Sequence, residues 1–320
     1  MLAEKEKYEV IIVGAGPAAW AAATFLTRAN IKTLVIGDPA QSGLADAADV
    51  QNYPGFTMGI AGTELLKQMR EQATAQGATF LHGEVVHVEP ANQPTSQPIN
   101  QFLVRTAQRQ DFIAQKLLLA HGANYIKVNL PREKELVGTG IHYCALCDGP
   151  LYTGREVLVL GNGNFAAEEA LQLIGMGVKV NLIITHAIQS NITEVYQKLL
   201  DAQKIPVTIG KAEKFEKENS GIKISVREKG GTMLWHSTPA VFIALGVASS
   251  HTFAQKLGLE MNGSFLKADE NGRTNVDGVW VAGLARGGVN QIGKSVGEAT
   301  VAAVDIIKVT KGLPQYLDHT

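Results

Sequence analysis

Short β-branched apolar runs alternate along the chain with alanine-rich stretches, which is typical of an α/β fold. The run Glu9–Val13 predicts a strand that ends at Gly14. Residues from about Pro17 to Arg28 predict a helix, and the apolar run Thr33–Ile36 predicts a return strand. The N-terminal region is therefore predicted to form one strand–helix–strand unit.

The turn between the first strand and the helix is rich in glycine. Gly14 permits a tight turn, Gly16 permits a pyrophosphate to approach the backbone, and Ala19 keeps helix and strand close. Asp38, 24 residues after Gly14, stands where an acid bonds a ribose hydroxyl. The agreement of strand, turn, helix and acid favours FAD or a related dinucleotide over a purely structural turn.

The same pattern recurs in the second half of the chain. Glu156–Leu160 predicts a strand, Gly161 opens a second glycine turn, Ala166–Ile174 predicts a helix and Lys179–Ile184 a return strand. The position that corresponds to Asp38 is the neutral Thr185. This second unit has the architecture of a dinucleotide site without its ribose-binding acid.

Apolar runs at both ends of the chain predict two domains, one inserted into the other. We expect a discontinuous FAD-binding domain of residues 1–122 and 245–320, and an inserted NAD(P)H-like domain of residues 123–244. Further strands are expected at 83–88, 102–106, 117–120, 205–209, 222–227, 240–245 and 278–282, with a helix at about 293–310. The predicted fold class is α/β, with two Rossmann-like (ββα) dinucleotide-binding domains.

The composition argues against a protein that binds nucleic acid or a membrane. The 320 residues are 45% hydrophobic and 18% charged, with a formal net charge of −1, which gives no electrostatic basis for binding nucleic acid or an anionic membrane. No apolar stretch is long enough for a membrane span, and the N-terminus has no apolar signal core. We therefore expect a cytoplasmic protein, in which a structural disulfide is unusual.

The two cysteines of the chain stand in the sequence Cys144-Ala-Leu-Cys147, followed by Asp148. A Cys-x-x-Cys pair can cycle between dithiol and disulfide, and an adjacent carboxyl group can exchange protons with the sulfurs. Two alternatives remain open. The pair could bind zinc, with His142 and Asp148 completing the ligand set, or it could be inert and buried; no second cysteine pair is present to favour zinc.

Over nearly its full length the chain resembles the low-molecular-weight thioredoxin reductase family. The segments that carry the resemblance are Gly14-Ala-Gly-Pro-Ala, Asn52-Tyr-Pro-Gly, Cys144-Ala-Leu-Cys-Asp-Gly, Ala166-Ala-Glu-Glu-Ala, Gly278-Val-Trp-Val-Ala-Gly and the helix after Gln291. The resemblance implies a homodimer that acts on a thioredoxin-like protein or another disulfide substrate. It also implies that Cys147 faces the flavin, that Cys144 attacks the partner disulfide, and that Asp148 is the acid–base residue.

The resemblance further implies a set of residues that contact FAD, and no metal ligands. The expected FAD-binding residues are Gly14, Gly16, Pro17, Ala18, Ala19, Gly37, Asp38, Gly43, Leu44, Asn52, Val86, Gly122, Gly283, Leu284, Asn290, Gln291 and Ile292.

Two departures from the family pattern affect the cofactors. Where the family carries His-Arg-Arg to bind the 2′-phosphate of NADPH, this chain reads Ile184-Thr185-His186, and Phe165 replaces a small hydroxyl residue in the second turn. NADPH is therefore expected to bind poorly. On the FAD side, the family's Gly-Asp is Gly283-Leu284, its Gly-Gly-Gln-Leu is Gln41-Ser-Gly-Leu, and its Arg-Gln is Asn290-Gln291. FAD binding is expected to survive these changes.

The sequence leads to one main hypothesis and two alternatives. The main hypothesis is an FAD-dependent dithiol–disulfide oxidoreductase that does not use NADPH efficiently. Similar proteins without nicotinamide sites accept electrons from ferredoxin or carry a second flavin, so the chain is expected to hold one or two FAD groups. Phe165 is compatible with a stacked second ring, or it only fills space. The alternatives are an oxygen-dependent dithiol oxidase and a non-catalytic redox-sensing flavoprotein.

Overall fold

The computed structural model describes residues 5–91, 101–185, 192–248 and 256–314. The chain divides into two compact units: unit 1 comprises Met1–Ala123 and Ser249–Thr320, and unit 2 comprises Asn124–Ala248. The sequence boundaries at 122/123 and 244/245 differ from these by one and four residues. Among the described residues, no helix has the length and apolar character needed to cross a membrane.

The helices and strands are numbered in chain order. The helices of the described residues are α1 (Pro17–Arg28), α2 (Gly62–Ala75), α3 (Glu133–Leu136), α4 (Ala145–Asp148), α5 (Gly163–Gly175), α6 (Glu194–Ala202) and α7 (Ile292–Lys311). The strands of unit 1 are β1 (Glu6–Val13), β2 (Thr33–Gly37), β3 (Thr79–His82), β4 (Val85–Pro90), β5 (Phe102–Thr106), β6 (Asp111–Leu119), β16 (Met261–Asn262), β17 (Phe265–Leu266) and β18 (Val279–Val281). The strands of unit 2 are β7 (Asn124–Tyr125), β8 (Ile141–His142), β9 (Glu156–Gly161), β10 (Lys179–Ile184), β11 (Val207–Glu218), β12 (Gly221–Glu228), β13 (Met233–Thr238), β14 (Val241–Ala244) and β15 (Val247–Ala248).

The main sheet of unit 1 has the strand order β3-β2-β1-β6-β5-β4, with β18 paired to β6. Strands β3, β2, β1, β6 and β18 are parallel, whereas β4, β5 and β6 pair antiparallel. The parallel strands are nearly continuous apolar runs because both faces of such a sheet are covered. All five residues of β2 are buried.

Alanine-rich helices cover this sheet. The buried face of α1 includes Ala18, Ala19, Ala22 and Ala23, each at most 4% exposed, and α7 contributes Ala299, Ala302 and Ala303 to the same core. Small side chains let a helix lie close to a sheet and to its neighbour. The indole of Trp20 fills the remaining space and donates a hydrogen bond of 2.8 Å to Ala15 O.

Unit 2 has the strand order β13-β12-β11-β10-β9-β14-β8, in which β11, β10, β9, β14 and β8 are parallel and β11–β13 form an antiparallel meander. The buried face of α5 packs Ala166, Ala167, Ala170 and Leu173 against the sheet. Each unit thus contains a strand–glycine turn–helix–strand arrangement, and the predicted α/β fold class with two Rossmann-like domains is confirmed.

Candidate functional site

Several of the residues predicted to bind FAD lie on turns at one edge of the unit 1 sheet. Because β1, β2, β6 and β18 run parallel, their carboxyl ends meet there, and ligands of α/β folds bind outside this edge. Backbone hydrogen bonds tie the segments together: Gly14 N–H to Ile36 O at 2.7 Å, Ala120 N–H to Val13 O at 2.8 Å, and Ala282 N–H to Leu119 O at 3.1 Å. The turns that hold Gly14, Asp38, Gly122 and Gly283 are therefore neighbours.

Gly14 is required by the geometry of this edge. Its φ is +116°, and a Cβ built there would lie 2.3 Å from Ala120 O, so no other residue fits without moving the backbone. The following helix α1 begins at Pro17 with Gly16 as its N-cap and has no side-chain cap. The first N–H groups of α1, including those of Ala18 and Ala19, are left for an anion such as a pyrophosphate. This cradle fits the FAD that the sequence predicts.

Asp38 follows directly on Gly37 at the end of β2. Its carboxylate accepts a hydrogen bond of 3.0 Å from Ala40 N–H and lies 3.2 Å from Nε2 of His82, a residue that sequence analysis missed. The side chain of Asp38 remains 29% exposed, so it can still reach a ribose hydroxyl.

Asn52 and Gln291 were predicted from separate motifs, and the structure brings them together. The amide Nδ2 of Asn52 donates a hydrogen bond of 3.1 Å to Oε1 of Gln291. Gln291 is the N-cap of α7, which begins at Ile292 and has no side-chain cap. Asn290 precedes it, half-buried. A second uncapped helix N-terminus therefore belongs to the candidate FAD site.

The loop at Gly283-Leu284, where the family has Gly-Asp, is held by a charged pair from α7. Lys294 Nζ donates hydrogen bonds to Gly283 O, at 3.0 Å, and to Gly287 O. Glu298 accepts a hydrogen bond of 3.0 Å from Gly283 N–H and lies 2.9 Å from Lys294 Nζ. Leu284 itself is half-buried. Sequence analysis missed this pair, although its i,i+4 spacing on a predicted helix was a readable signal.

The remaining predicted FAD residues lie in three other segments, two turns and the strand β4. Gly43 opens a 3₁₀ turn in which Leu44 is buried. Val86 is 44% exposed on β4, three residues after Gly83, whose N–H donates to Gly37 O at 3.2 Å. Gly122 O lies 2.8 Å from Nδ1 of His121. Burial lowers the pKa of His121 to about 4, against the opposing effect of that hydrogen bond, so a neutral imidazole borders this edge at pH 7.

The two cysteines form a disulfide at the N-terminus of α4 in unit 2. Cys144 is half-buried and Cys147 is exposed, so the pair is accessible rather than an inert buried pair. Cys144 Sγ also accepts a hydrogen bond of 3.2 Å from Cys147 N–H. Among the described residues, no group of three or more His, Cys, Asp or Glu side chains could hold a metal ion.

Asp148 is partly exposed beside the disulfide, and a buried histidine lies behind it. His142 Nδ1 is 3.0 Å from Asp148 Oδ2, whereas Nε2 is 2.9 Å from Tyr152 Oη. The Asp148 oxygen lies off the line of a ring N–H, so Nδ1 has no aligned partner in the described part of the chain. A buried polar atom without a hydrogen-bond partner reduces the free energy of unfolding by about 1–3 kcal/mol. A small rotation of the Asp148 side chain that aligned its oxygen with the ring N–H would remove this cost.

Glu169, the second glutamate of the Ala-Ala-Glu-Glu-Ala motif, contacts the backbone of α4, the helix that contains Cys147. Its carboxylate accepts a hydrogen bond of 2.7 Å from Ala145 N–H. Burial raises the pKa of Glu169 to about 7, opposed by this hydrogen bond and reinforced by the charge of Glu168. The position of Glu169 behind the cysteine pair could not be read from the motif alone.

The carboxyl edge of the unit 2 sheet has the same layout but different chemistry. Gly161 ends β9, where a Cβ would lie 2.4 Å from Ala244 O, and Thr185 N–H donates to Gly161 O at 3.0 Å. Asn164, in the first turn of α5, accepts a hydrogen bond of 2.7 Å from Thr193 N–H. Phe165 packs, partly buried, against the unit 2 core. The predicted position His186 lies outside the described residues.

Comparisons with known proteins agree with this geometry. Residues 8–303 match the family model described as pyridine nucleotide-disulphide oxidoreductase. A protein named thioredoxin reductase from Bacillus subtilis is 30% identical over 322 residues, covering 99% of each chain. The crystal structure of the atypical thioredoxin reductase from Desulfovibrio vulgaris Hildenborough is 33% identical, with 98% of this chain and 100% of that chain covered and a TM-score of 0.53.

A thioredoxin reductase structure from Giardia duodenalis is 26% identical, with 96% of this chain and 100% of that chain covered and a TM-score of 0.84. The sequence and structural matches extend over both units and include both glycine turns and the cysteine pair. The chain belongs to the pyridine nucleotide-disulphide oxidoreductase family and is of the thioredoxin reductase type.

Proposed function

We propose that this disulfide oxidoreductase exchanges electron pairs between FAD bound by unit 1 and the Cys144–Cys147 disulfide of unit 2, and that it does not use NADPH efficiently. The observation that carries the proposal is an accessible disulfide with Asp148 beside it, in a unit whose second glycine turn, helix and return strand, over the described residues 161–185, contain Lys179 as their single Lys or Arg. The substrate is a thioredoxin-like protein or another protein disulfide. By analogy with the family, the protein is expected to form a homodimer.

The charge pattern of unit 2 supports the NADPH part of the proposal. From Gly161 to Gln197 the sequence contains a single Lys or Arg, Lys179. Lys179 begins β10, five residues before the carboxyl end at Ile184, or roughly 16 Å away at about 3.3 Å per residue. Each missing charge-assisted hydrogen bond to a phosphate removes about 1.5–3 kcal/mol of binding free energy. Two or three such losses weaken binding by orders of magnitude.

Residues 192 and 193 also support weak nicotinamide binding. Thr193 N–H donates a hydrogen bond to Asn164 Oδ1, and both Ile192 and Phe165 pack against the unit 2 core. The backbone after residue 191 therefore occupies space beside the first turn of α5, where a pyrophosphate would bind in a functional site.

FAD, when bound, would accept and donate two electrons. The residues of this chain bind the cofactor, carry the disulfide and transfer protons. Gly14, Gly16 and the α1 N-terminus bind the pyrophosphate, and Asp38 bonds the ribose. Reduction of the Cys144–Cys147 disulfide takes up two electrons and two protons. In the forward reaction Cys144 attacks the partner disulfide and forms a mixed disulfide with the partner, which releases the first partner thiolate. Cys147 then attacks Cys144, which breaks the mixed disulfide and releases the second partner thiolate, and Asp148 transfers protons between the sulfurs.

An anaerobic titration of the purified protein tests the proposal. Dithionite is expected to bleach the flavin fully and dithiothreitol to bleach it through the cysteine pair, whereas micromolar NADPH leaves it oxidised. A Cys144→Ser/Cys147→Ser variant should lose the response to dithiothreitol and keep the response to dithionite. Rapid stoichiometric bleaching by NADPH would refute the nicotinamide part, and an unresponsive flavin with dithiothreitol would refute the exchange itself.

The physiological electron source is proposed to be ferredoxin or a second FAD. Phe165 retains part of its surface exposed next to the α5 turn, where an aromatic ring can stack, although its packing on the core equally fits a space-filling role. Extraction of the flavin separates the two sources, because a flavin-to-protein ratio near two indicates a second flavin. Oxygen uptake on adding dithiols would instead indicate a dithiol oxidase, and the absence of any turnover a redox sensor.

A further inference from the structure

His142 is a buried histidine that the proposed exchange does not yet use. It is 3% exposed at the end of β8. Its ring stacks on Phe242 with centroids 5.2 Å apart and meets the Tyr152 ring edge-to-face with centroids 5.3 Å apart. A polar ring in such an apolar environment is unfavourable unless both nitrogens are paired. The position of this ring directly behind Asp148 therefore indicates that it has a functional role.

The contacts of the ring fix where its proton lies. Burial raises the pKa of Tyr152, as does the charge of Asp148, so its hydroxyl keeps its proton and is available as a donor to His142 Nε2, 2.9 Å away; we assign it that direction because the Asp148 carboxylate beside Nδ1 favours the ring proton on Nδ1. An Nε2 that accepts places the proton of a neutral ring on Nδ1. Nδ1 lies 3.0 Å from Asp148 Oδ2, which is off the line of the ring N–H, and has no other acceptor in the described residues.

The side chain of His142 therefore lies between those of Tyr152 and Asp148, and Asp148 is the residue that follows Cys147. Asp148 N–H also donates to Cys144 O at 3.2 Å, which ties its backbone to the first cysteine. We propose that His142 is a positioning residue that holds the Asp148 carboxyl group beside the cysteine pair and shares the proton that this group carries during disulfide exchange. The proposal deepens, and rests on, the proposed function of the pair.

The protons of the exchange balance with this arrangement. The reduced pair starts as two thiols. Cys144 loses its proton to the Asp148–His142 pair and attacks the partner disulfide, whose S–S bond breaks and whose leaving thiolate takes that proton. Cys147 then loses its proton to the same pair and attacks Cys144, which reforms the Cys144–Cys147 bond. The second partner thiolate takes that proton, so two electrons and two protons move to the partner.

Other titratable groups near these side chains must be separated from His142 in any pH experiment. The guanidinium of Arg155 lies over the Tyr152 ring, 5.6 Å from its centroid. Glu169 contacts Ala145 N–H and titrates near neutral pH. A Glu169→Gln background removes that titration while it keeps a hydrogen-bond acceptor for Ala145.

The test is the rate of alkylation of the reduced cysteines by iodoacetamide from pH 5 to 9, measured in the Glu169→Gln background. His142→Phe fills the space without nitrogens and should raise the apparent thiol pKa by about one unit, with the rate at pH 7 falling about tenfold. His142→Asn keeps a donor near the place of Nδ1 but cannot accept a proton. It should recover part of the rate while the pH profile stays altered.

Tyr152→Phe keeps the ring of His142 and removes only the hydroxyl that sets its tautomer, so a smaller change in the same direction is expected. Profiles of all three variants that superimpose on the parent, in protein that melts cooperatively, would overturn the inference. Alkylation needs neither flavin nor partner. Failure of the proposed flavin–disulfide exchange would therefore appear separately, as a parent protein whose thiols titrate normally but whose flavin does not respond to them.

Discussion

The carboxylate of Glu169 accepts a hydrogen bond of 2.7 Å from the backbone N–H of Ala145, the residue that follows Cys144. The acid lies in α5 and the N–H at the start of α4, so the contact joins the second glycine-turn helix to the helix that carries the disulfide. A buried carboxyl group with few other partners resists ionisation, and this has a measurable effect on stability.

The first prediction concerns pH and Glu169. Its pKa is raised, chiefly by burial, from 4.5 to about 7, so the folded protein keeps a proton that the unfolded chain releases. The free energy of unfolding should therefore fall as pH rises from about 4.5 to 7 and level off above. A shift of about 2.5 units corresponds to a loss on the order of 3 kcal/mol.

Urea unfolding of unit 2 at pH 5, 6, 7 and 8 measures this effect. Glu169→Gln should flatten the dependence, because the amide cannot ionise. The matched control is Glu194→Gln on α6, whose side chain is 81% exposed and which should retain the parental slope. Parallel curves for the parent and Glu169→Gln would contradict the prediction.

The second prediction concerns the ion pair between Arg273 and Asp305. The guanidinium donates two hydrogen bonds, of 2.6 and 2.9 Å, to the carboxylate, which also accepts one of 2.8 Å from Trp280 Nε1. Burial favours a higher pKa of Asp305, but the bonds from Arg273 and Trp280 outweigh it and the pKa is lowered. Asp305→Ala leaves the buried Trp280 Nε1 without its acceptor, whereas Arg273 is 43% exposed and can be solvated, so the unfolding free energy should fall by about 1–3 kcal/mol.

Because the pKa of Asp305 is lowered, its contribution is present above the pKa of the unfolded chain and is lost as pH falls through the folded value. Chemical denaturation of the variants at pH 7 and in acid measures both effects. The exposed pair of Lys267 and Glu260 provides the control, since Lys267→Met should cost at most about 1 kcal/mol. An Asp305→Ala variant as stable as this control would argue against the prediction.

The third prediction concerns Gly14. A Cβ at this position would overlap Ala120 O, 2.3 Å away, and the φ of +116° is unfavourable for alanine. Gly14→Ala should therefore yield protein that is destabilised by several kcal/mol and purifies with little flavin. Absorbance of the isolated protein near 450 nm and its melting curve measure the outcome. Gly230→Ala, at an exposed turn with open space around it, should match the parent in both.

The fourth prediction concerns Lys294. Its ammonium group bonds the carbonyl groups of Gly283 and Gly287 and pairs with Glu298, so it holds the loop that lacks the family's aspartate. Lys294→Met should weaken flavin binding at least about tenfold, given about 1.5–3 kcal/mol for each charge-assisted bond. Titration of the flavin-free protein with FAD measures the dissociation constant. Lys198→Met, on exposed α6, is the control, and equal constants for the two variants would refute the role.

The glycine turns and the cysteine pair could be predicted from the sequence because each depends on neighbouring residues. A β-branched run, a glycine that tolerates positive φ and an alanine-rich helix are local features, and α1 was predicted with its observed bounds. Helix α2 was missed, although Leu65, Leu66 and Ala73 repeat at helical spacing and are buried. Strand β3 has no fully buried residue and no clear alternation, so its pattern gave little signal.

The contacts that complete the candidate site could not be predicted from the sequence, because they join residues that are far apart along the chain. Asn52 and Gln291 are 239 positions apart, and Glu169 contacts a backbone group 24 residues away. Such contacts depend on how parallel strands bring their carboxyl ends together, which no local pattern encodes. His142 was noticed only as a zinc ligand, because its partner Tyr152 lies ten residues on, across a turn.

The pairing of β18 with β6 imposes an order on synthesis. Leu117, Leu118 and Leu119 at the end of β6 are completely buried, and their partner strand Val279–Val281 is made some 160 residues later. The ribosome therefore releases all of unit 2 before unit 1 can close its sheet. At a translation rate of about 5–20 residues per second, this edge of β6 stays unpaired for on the order of ten seconds. During that interval the nascent chain exposes an unpaired apolar strand edge, and such an edge promotes aggregation.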